Sequence, residues 1–440
     1  MTPAFSIVIP TFNRSDLYPY AVKSILRQSF RDFEIIVSDN CSEDDTAEVA
    51  KQFTDSRVRY VRTPRHFVIA DAWEFARRHA SGRLVMMLSD DDALLGGALA
   101  RFHEESQRYG ADFLFCRPAT YRDGSFLGAE RNSVHCPAFT GRSRLVDVDE
   151  FIRPLFLFRH KFDMHPSAFM FAKEIADTVE RRTGRFFWTN GVEYSAWPIA
   201  ATFSQHMAYI DAPLVILGRT AKSWGTNIAL CNPGKERIKA FIDDVDHRRN
   251  HAPLNNFTMC NLIAEGMLTA KDLFPKEFES YAFDEAHYLR RTMAELRNRE
   301  RIGVDVSAEI ENLLGYAAKY PSLMEEFTAK EPCNQNHVRQ QLSSVASKMG
   351  ARTLQHWFER RRQAREVRNG KVGCGFQVAG EDFGFDNILD CAEFLTRILE
   401  PPPVDASMSA DFSSGNHDYP PARSARGNAG LPTDSSSRRV

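Results

Sequence analysis

From Phe5 to Phe115 the chain alternates between two hydrophobic periods. Phe5-Ser6-Ile7-Val8-Ile9-Pro10 is a short β-rich run closed by proline, and Phe33–Val37 is a second that ends at Asp39. Val58–Val61 is a weaker third, Leu84–Leu88 a fully apolar fourth, and Asp112–Phe115 a fifth. Between these runs the spacing is helical. Leu17, Ala21 and Ile25 share one face, Ile69, Ala72, Trp73, Ala76 and Ala80 form a stripe, and Leu99, Phe102 and Tyr109 mark another helix. Asp45 with Glu48 three residues on resembles a capping box opening a helix toward Phe53. Strand–helix alternation with nearly continuous apolar strands predicts a parallel sheet covered on both faces. Right-handed crossovers then put the loops after the strands along one edge, where an open α/β sheet binds its ligand.

The periodicity changes further on. Residues 116 to 220 are mixed. Beyond Pro233, Phe278, Ala282, Leu289, Met293 and Leu296 repeat at helical spacing, as do Val338, Leu342, Val345 and Met349. The reading is an α/β domain over 1–225, a mainly helical region over 234–400, and a tail from 401 to 440. The tail holds six prolines and eight serines in forty residues, with only Phe412 and Tyr419 as aromatics. Such a segment cannot bury enough apolar area to offset ordering, so it is expected to be disordered.

Composition narrows the field only a little. At 440 residues the chain is long enough for two or three cores, and its formal charge of −2 gives no argument for nucleic acid as a partner. The eight cysteines (41, 116, 136, 231, 260, 333, 374, 391) include no C-x-x-C pair. That spacing suits neither a zinc site nor a disulfide framework, and it reads as reduced, buried thiols. No signal peptide or membrane-length apolar run is visible, so the expected compartment is cytoplasmic.

Chemistry gathers at the strand ends. After the first strand comes Thr11-Phe12-Asn13-Arg14, after the second Ser38-Asp39-Asn40, and after the fourth Ser89-Asp90-Asp91-Asp92. An acid ending the second strand invites a dinucleotide-binding reading, which needs a glycine-rich turn after the first. The first glycine in the chain is Gly82, so that turn and a P-loop are both excluded. Any bound diphosphate must be neutralised by something other than a glycine cradle. Three adjacent carboxylates, with no Lys or Arg between Leu84 and Ala100, supply hard oxygen ligands for Mg²⁺ or Mn²⁺. The plain alternative is a solvated acidic turn ahead of a helix. Its place on the ligand edge favours the metal reading.

Three blocks in register then resemble the GT-A glycosyltransferases of family 2: FSIVIPTFNR at 5–14, FEIIVSDNCSEDDT at 33–46 and GRLVMMLSDDDALLGGAL at 82–99. The resemblance covers residues 4–115 well and 116–220 loosely. It implies a GT-A, Rossmann-like, mostly parallel sheet flanked by helices. It also implies inverting transfer of a sugar from a nucleotide-diphosphate donor, commonly UDP-linked, in glycan or polysaccharide biosynthesis. By the resemblance Thr11 and Asn13 lie near the nucleotide, Asp39 reads the base, and Asp90 contacts the ribose. Asp91 with Asp92 would hold Mn²⁺ or Mg²⁺ in a DXD-like motif. Extended-strand geometry would instead pair Asp90 with Asp92, because adjacent side chains diverge. The acceptor's proton needs a base. Gly191–Trp197 resembles the family's Glu-Asp-Tyr-like segment and puts Glu193 at the acid position, with Val192 departing from the usual first acid. An ordinary ion-pairing glutamate is the other reading. His165, in Asp-Met-His-Pro, faces the same choice between acceptor contact and a structural role, and the structural role is preferred.

Two other function classes remain. A sugar nucleotidyltransferase would need a glycine-rich N-terminal loop, which is absent. A non-catalytic nucleotide-sugar-binding protein would leave a cluster of like charges that only costs stability. The expected partners are therefore a nucleotide-sugar donor and a glycan or lipid-linked acceptor. Finally, residues 352–371 carry seven basic against two acidic residues, beside Leu354, Trp357 and Phe358. That pattern fits a helix docked on the helical region, or peripheral attachment to an anionic membrane.

Overall fold

The computed structural model describes residues 2–126, 130–223, 251–328 except 257 and 302, 362–367 and 375–399. The α/β class expected from the strand–helix alternation is the class observed. Strands β1 (Phe5–Thr11), β2 (Phe33–Asp39), β3 (Val58–Arg62) and β4 (Leu84–Met87) alternate with helices α1 (Tyr18–Leu26), α2 (Thr46–Ala50) and α3 (Ile69–Arg78). These four strands are parallel in the order β3-β2-β1-β4. The register sets Thr11 beside Asp39, so the ends of β1 and β2 open on one edge.

Beyond β4 the sheet becomes mixed. After β5 (Ala93–Leu94) and helix α4 (Ala98–Tyr109) come β6 (Phe113–Cys116), β7 (Ala119–Arg122), β8 (Ser133–Cys136) and β9 (Ser143–Val146). Then follow α5 (Val148–Phe156), β10 (Phe169–Ala172), α6 (Lys173–Thr183), α7 (Val192–Phe203), β11 (Met207–Ile210) and β12 (Val215–Arg219). Strand β10 runs antiparallel between β4 and β6, and β11 and β9 complete an eight-stranded sheet. Its centre is filled by rings: Phe115 stacks on Phe169 at 5.3 Å and Phe169 on Trp197 at 5.2 Å. All three are fully buried, and truncating any one to alanine would cost about 3–5 kcal/mol.

A second sheet takes the order β13-β8-β7-β12-β5, and its outer strand β13 (Phe376–Ala379) comes from far along the chain. The last described helix packs on α1, β5 and β12, with the Thr396 hydroxyl accepting from the Gly96 amide at 2.7 Å. The 234–400 stretch thus contributes both helices and a strand. Among the described residues, α8 (Met259–Leu273), α9 (Glu285–Arg301), α10 (Ser307–Ala317) and α11 (Pro321–Thr328) precede that strand, and α12 (Ile388–Leu399) is last. Helix α8 lies directly on α7. A Cβ at Gly266 would come within 2.5 Å of Tyr194 Cβ, so glycine alone permits that approach. The Thr258 side chain caps α8 by accepting from the Asn261 amide at 3.1 Å. Residues 1–399 form one unit. The tail and most of the basic 352–371 stretch lie outside the described residues. The five described cysteines (41, 116, 136, 260, 391) are free thiols, and all but Cys41 are buried.

Candidate active site

The site starts at the end of β1. Thr11 is buried there, followed by Phe12, one of two large hydrophobic side chains exposed among the described residues. Its ring lies 4.4 Å from that of His66. Asn13 takes a left-handed backbone (φ 52°), a conformation asparagine tolerates better than most residues. It ties two loops together: its Oδ1 accepts from the Glu43 amide at 2.8 Å and its own amide donates to Ser42 Oγ at 2.9 Å. Asp39, at the end of β2, is fully buried. Its Oδ1 accepts from the Ser42 amide, and its Oδ2 accepts from Tyr60 at 2.5 Å and Arg62 at 2.8 Å. Burial, then the bond to Asp39, pushes the Tyr60 phenol up to about 12.

After β4 the chain turns, closed by the Asp92 amide donating to the Ser89 carbonyl at 3.1 Å. The turn aims three adjacent carboxylates differently. Asp90 Oδ1 lies 2.6 Å and Asp91 Oδ2 3.7 Å from the same nitrogen of Arg14. The Ser223 hydroxyl donates to Asp91 Oδ2 at 2.5 Å. Asp92 points inward and is fully buried. Its Oδ1 accepts from the Gly218 amide at 2.8 Å, its Oδ2 accepts from Ser167 Oγ at 2.5 Å, and His165 Nδ1 is 3.4 Å from that oxygen. Residue 218 must be glycine, because a Cβ there would sit 1.8 Å from the Asp91 carbonyl oxygen.

The electrostatics follow this geometry. Burial raises the Asp92 pKa well above the carboxylate range, and Asp91 adds to the effect. Burial also raises that of Asp90, against the pull of Arg14. For Arg14 burial opposes the charge, but Asp90 and Asp91 outweigh it and hold the guanidinium above its ordinary pKa. Two carboxylates converging on one cation suit a hard divalent ion, which takes one or two carboxylates plus phosphate oxygens. Among the described residues no three acidic, imidazole or thiol groups form a closed cage.

A second group of residues comes from α7 and the segment before β10. Glu193 lies in the first turn of α7 and is half-buried. Burial, with a smaller push from Asp163, raises its pKa to about 7. His165 is held neutral, its pKa driven well below the imidazole range by burial and then by Arg219. Arg219 also acts on Asp92 and Tyr194, so the aspartate turn and the start of α7 share one electrostatic neighbourhood.

Residues 6–179 match the sequence profile of glycosyl transferase family 2. This stretch is a family 2 glycosyl transferase domain. The chain is 40% identical over 107 residues to the GalNAc(5)-diNAcBac-PP-undecaprenol beta-1,3-glucosyltransferase of Campylobacter jejuni, a match covering 24% of this chain and 35% of that one. It is 30% identical over 123 residues to the Escherichia coli UDP-Glc:alpha-D-GlcNAc-diphosphoundecaprenol beta-1,3-glucosyltransferase WfgD, covering 28% and 49%. The matched part thus spans about a third to a half of these relatives. Staphylococcus aureus TarS 1-349, solved with UDP-GlcNAc, aligns over 74% of this chain and 84% of that one, with 13% identity and a TM-score of 0.44.

Of the residues picked from sequence, Thr11, Asn13, Asp39, Asp90 and Asp91 gather at one edge, while Asp92 turns inward and Glu193 lies at the start of α7. Sequence reasoning did not single out Arg14. It looked for a compensating cation near the aspartates, but Arg14 reaches Asp90 from 76 residues away. The signal was present, since Arg14 ends the same strand-end motif as Thr11 and Asn13. Ser167 and Ser223 gave no signal, because single serines in mixed segments carry none.

Proposed function

We propose that this chain transfers a sugar from a nucleotide diphosphate, a UDP-sugar in the first instance, to a hydroxyl of a lipid-linked glycan, with inversion. The observation that carries the reading is the convergence of Asp90 and Asp91 on one cationic position at the strand ends of a family 2 domain. The names of the Campylobacter and Escherichia relatives specify undecaprenyl diphosphate-linked acceptors, which favours that acceptor class and a role in polysaccharide assembly. No described helix is long and apolar enough to cross a membrane.

In this reading Asp39, with Thr11 and Asn13 beside it, borders the base, and the exposed Phe12 offers it an apolar face. Asp90 takes the ribose hydroxyls. Asp91 is the metal-holding carboxylate, and Asp92, with both oxygens engaged by Gly218 and Ser167, fixes the turn that aims it. A bound divalent metal supplies positive charge to the leaving diphosphate. Glu193 takes the proton of the acceptor hydroxyl as its oxygen bonds to the anomeric carbon. The bond from that carbon to the phosphate oxygen breaks, and its electron pair leaves on the nucleotide diphosphate. A pKa near 7 leaves much of Glu193 ionised at neutral pH while keeping it basic enough to accept a proton. A donor-hydrolysis screen over UDP-, GDP- and dTDP-sugars, with and without Mn²⁺, tests the reading. Metal-dependent release of UDP supports it, and no turnover of any donor under either condition would sink it.

A further inference from the structure

Arg14 stands where the proposed metal would stand. Its one nitrogen lies 2.6 Å from Asp90 Oδ1 and 3.7 Å from Asp91 Oδ2. The other terminal nitrogen donates to the Lys222 carbonyl at 2.6 Å. Asp90 and Asp91 are both more than nine-tenths buried, so without a cation they would repel in a medium that screens them poorly. Arg14 therefore does for the empty turn what a divalent ion would do for the loaded one. The two cannot use the same oxygens together. The contact is also exchangeable, because a single nitrogen serves both carboxylates and the two-pronged Arg–carboxylate bond is not made.

We propose that Arg14 is the counter-ion of the donor-free state. It occupies Asp90 and Asp91 until a nucleotide diphosphate offers the guanidinium another anionic partner, so the metal enters with the nucleotide rather than ahead of it. The proposal rests on the metal-assisted reading above. Three charges have to be matched as the site fills: the carboxylates, the diphosphate and the guanidinium. Metal alone would strand Arg14 beside a second cation in a largely buried pocket. Nucleotide alone would crowd its phosphates against ionised carboxylates. When both arrive, each carboxylate has the metal or the ribose and the guanidinium has phosphate, for which its donors are well shaped. Lys222, whose carbonyl accepts from Arg14, has its own ammonium engaged by Asp16 at 2.8 Å.

The test is Mn²⁺ binding followed by electron paramagnetic resonance, on the full chain, with and without saturating UDP. An opposite charge this close shifts a carboxylate's affinity for a proton by one to three powers of ten, and a metal ion feels the same field. Wild type should bind Mn²⁺ alone at least about tenfold more weakly than with UDP. R14Q should bind Mn²⁺ alone about tenfold more tightly than wild type, shrinking the effect of UDP. R14M, which keeps the length of the buried stem, serves if R14Q does not fold. Folded variants that bind Mn²⁺ alone no better than wild type would overturn the proposal and leave the metal reading standing. So would wild type that binds Mn²⁺ equally well with and without UDP. Failure of wild type and variants alike to bind Mn²⁺ in the presence of UDP would overturn both.

Discussion

The strand-end edge and the wall of residues that holds its aspartate turn are built differently. The edge is a set of consecutive strand ends: residues 11–14, 39–42 and 89–92 each follow a buried strand and need only the parallel register to meet. The wall is assembled from distant pieces. Ser167 and Gly218 reach Asp92 across 75 and 126 residues, and Ser223 reaches Asp91 across 132. Glu193 takes its position from α7, which is held in turn by the close approach of α8 at Gly266. One part takes its shape from local strand geometry, and the other from contacts between distant segments. On the proposed reading, substitutions at the edge should change donor binding, and those on the wall should change turnover or stability.

The largest expected effect is on the wall. Glu193→Gln keeps shape but cannot accept a proton, so kcat should fall by about 10²–10⁴ with the Kd for UDP unchanged. The pH profile sharpens the assignment. If Glu193 is the base it works deprotonated, and with its pKa raised to about 7, kcat should decline by about tenfold per pH unit below that value. The limb should be missing from the variant. Lost UDP affinity with normal turnover would move Glu193 to the edge. Next comes Asp91→Asn on the edge, which on the proposed reading removes a metal-holding oxygen and relieves repulsion. Mn²⁺-supported UDP affinity should drop at least about 100-fold, since even outer partners of metal ligands typically cost 10–100-fold. Unfolding should be nearly unchanged. UDP titrations with Mn²⁺ and with EDTA measure this, and parental affinity would refute the metal assignment.

Asp92 lies on the boundary, one residue from Asp91 in sequence and turned to the other side. Asp92→Ala would leave the buried Gly218 amide without its acceptor and Ser167 without its partner, at a cost of about 1–3 kcal/mol. Asp92→Asn can still accept from Gly218, while the serine hydroxyl reverses to accept, so it should remain close to wild type. Urea denaturation of the pair checks this, and equal loss in both would show that the charge itself is required. The same residue marks how far the sequence could be read. The β1–β4 strands, their helices and the three strand-end motifs were legible because local periodicity and position on the ligand edge sufficed. Adjacent aspartates were legible as a cluster but not by direction. Which carboxylate points at Arg14 and which points inward depends on a turn and on partners more than seventy residues away. The antiparallel insertion of β10 and the arrival of β13 beside β8 were hidden for the same reason, since four-residue strands in mixed sequence have no period to detect.

Two cuts near the end of the chain differ sharply, and the shorter one carries the smallest expected effect. Ending the protein at residue 375 would remove β13, the outer strand against β8, and α12, which packs on β5 directly after the aspartate turn. It would take Val378 and Leu395 out of the core, expose the buried side chains they cover, such as Tyr121, Val134 and Ile216, and leave the Gly96 amide without the Thr396 hydroxyl. Stability should fall by several kcal/mol, because several core side chains are stripped at once. Metal-supported UDP binding should weaken with it, since β5 anchors one end of the turn. Ending the protein at residue 400 removes a segment whose proline- and serine-rich composition offers almost nothing to bury. Melting temperature, UDP affinity and turnover should then match the full chain. A melting temperature several degrees lower for this shorter cut would show that the last forty residues dock on the domain, and would extend the distant, burial-dependent wall into the tail.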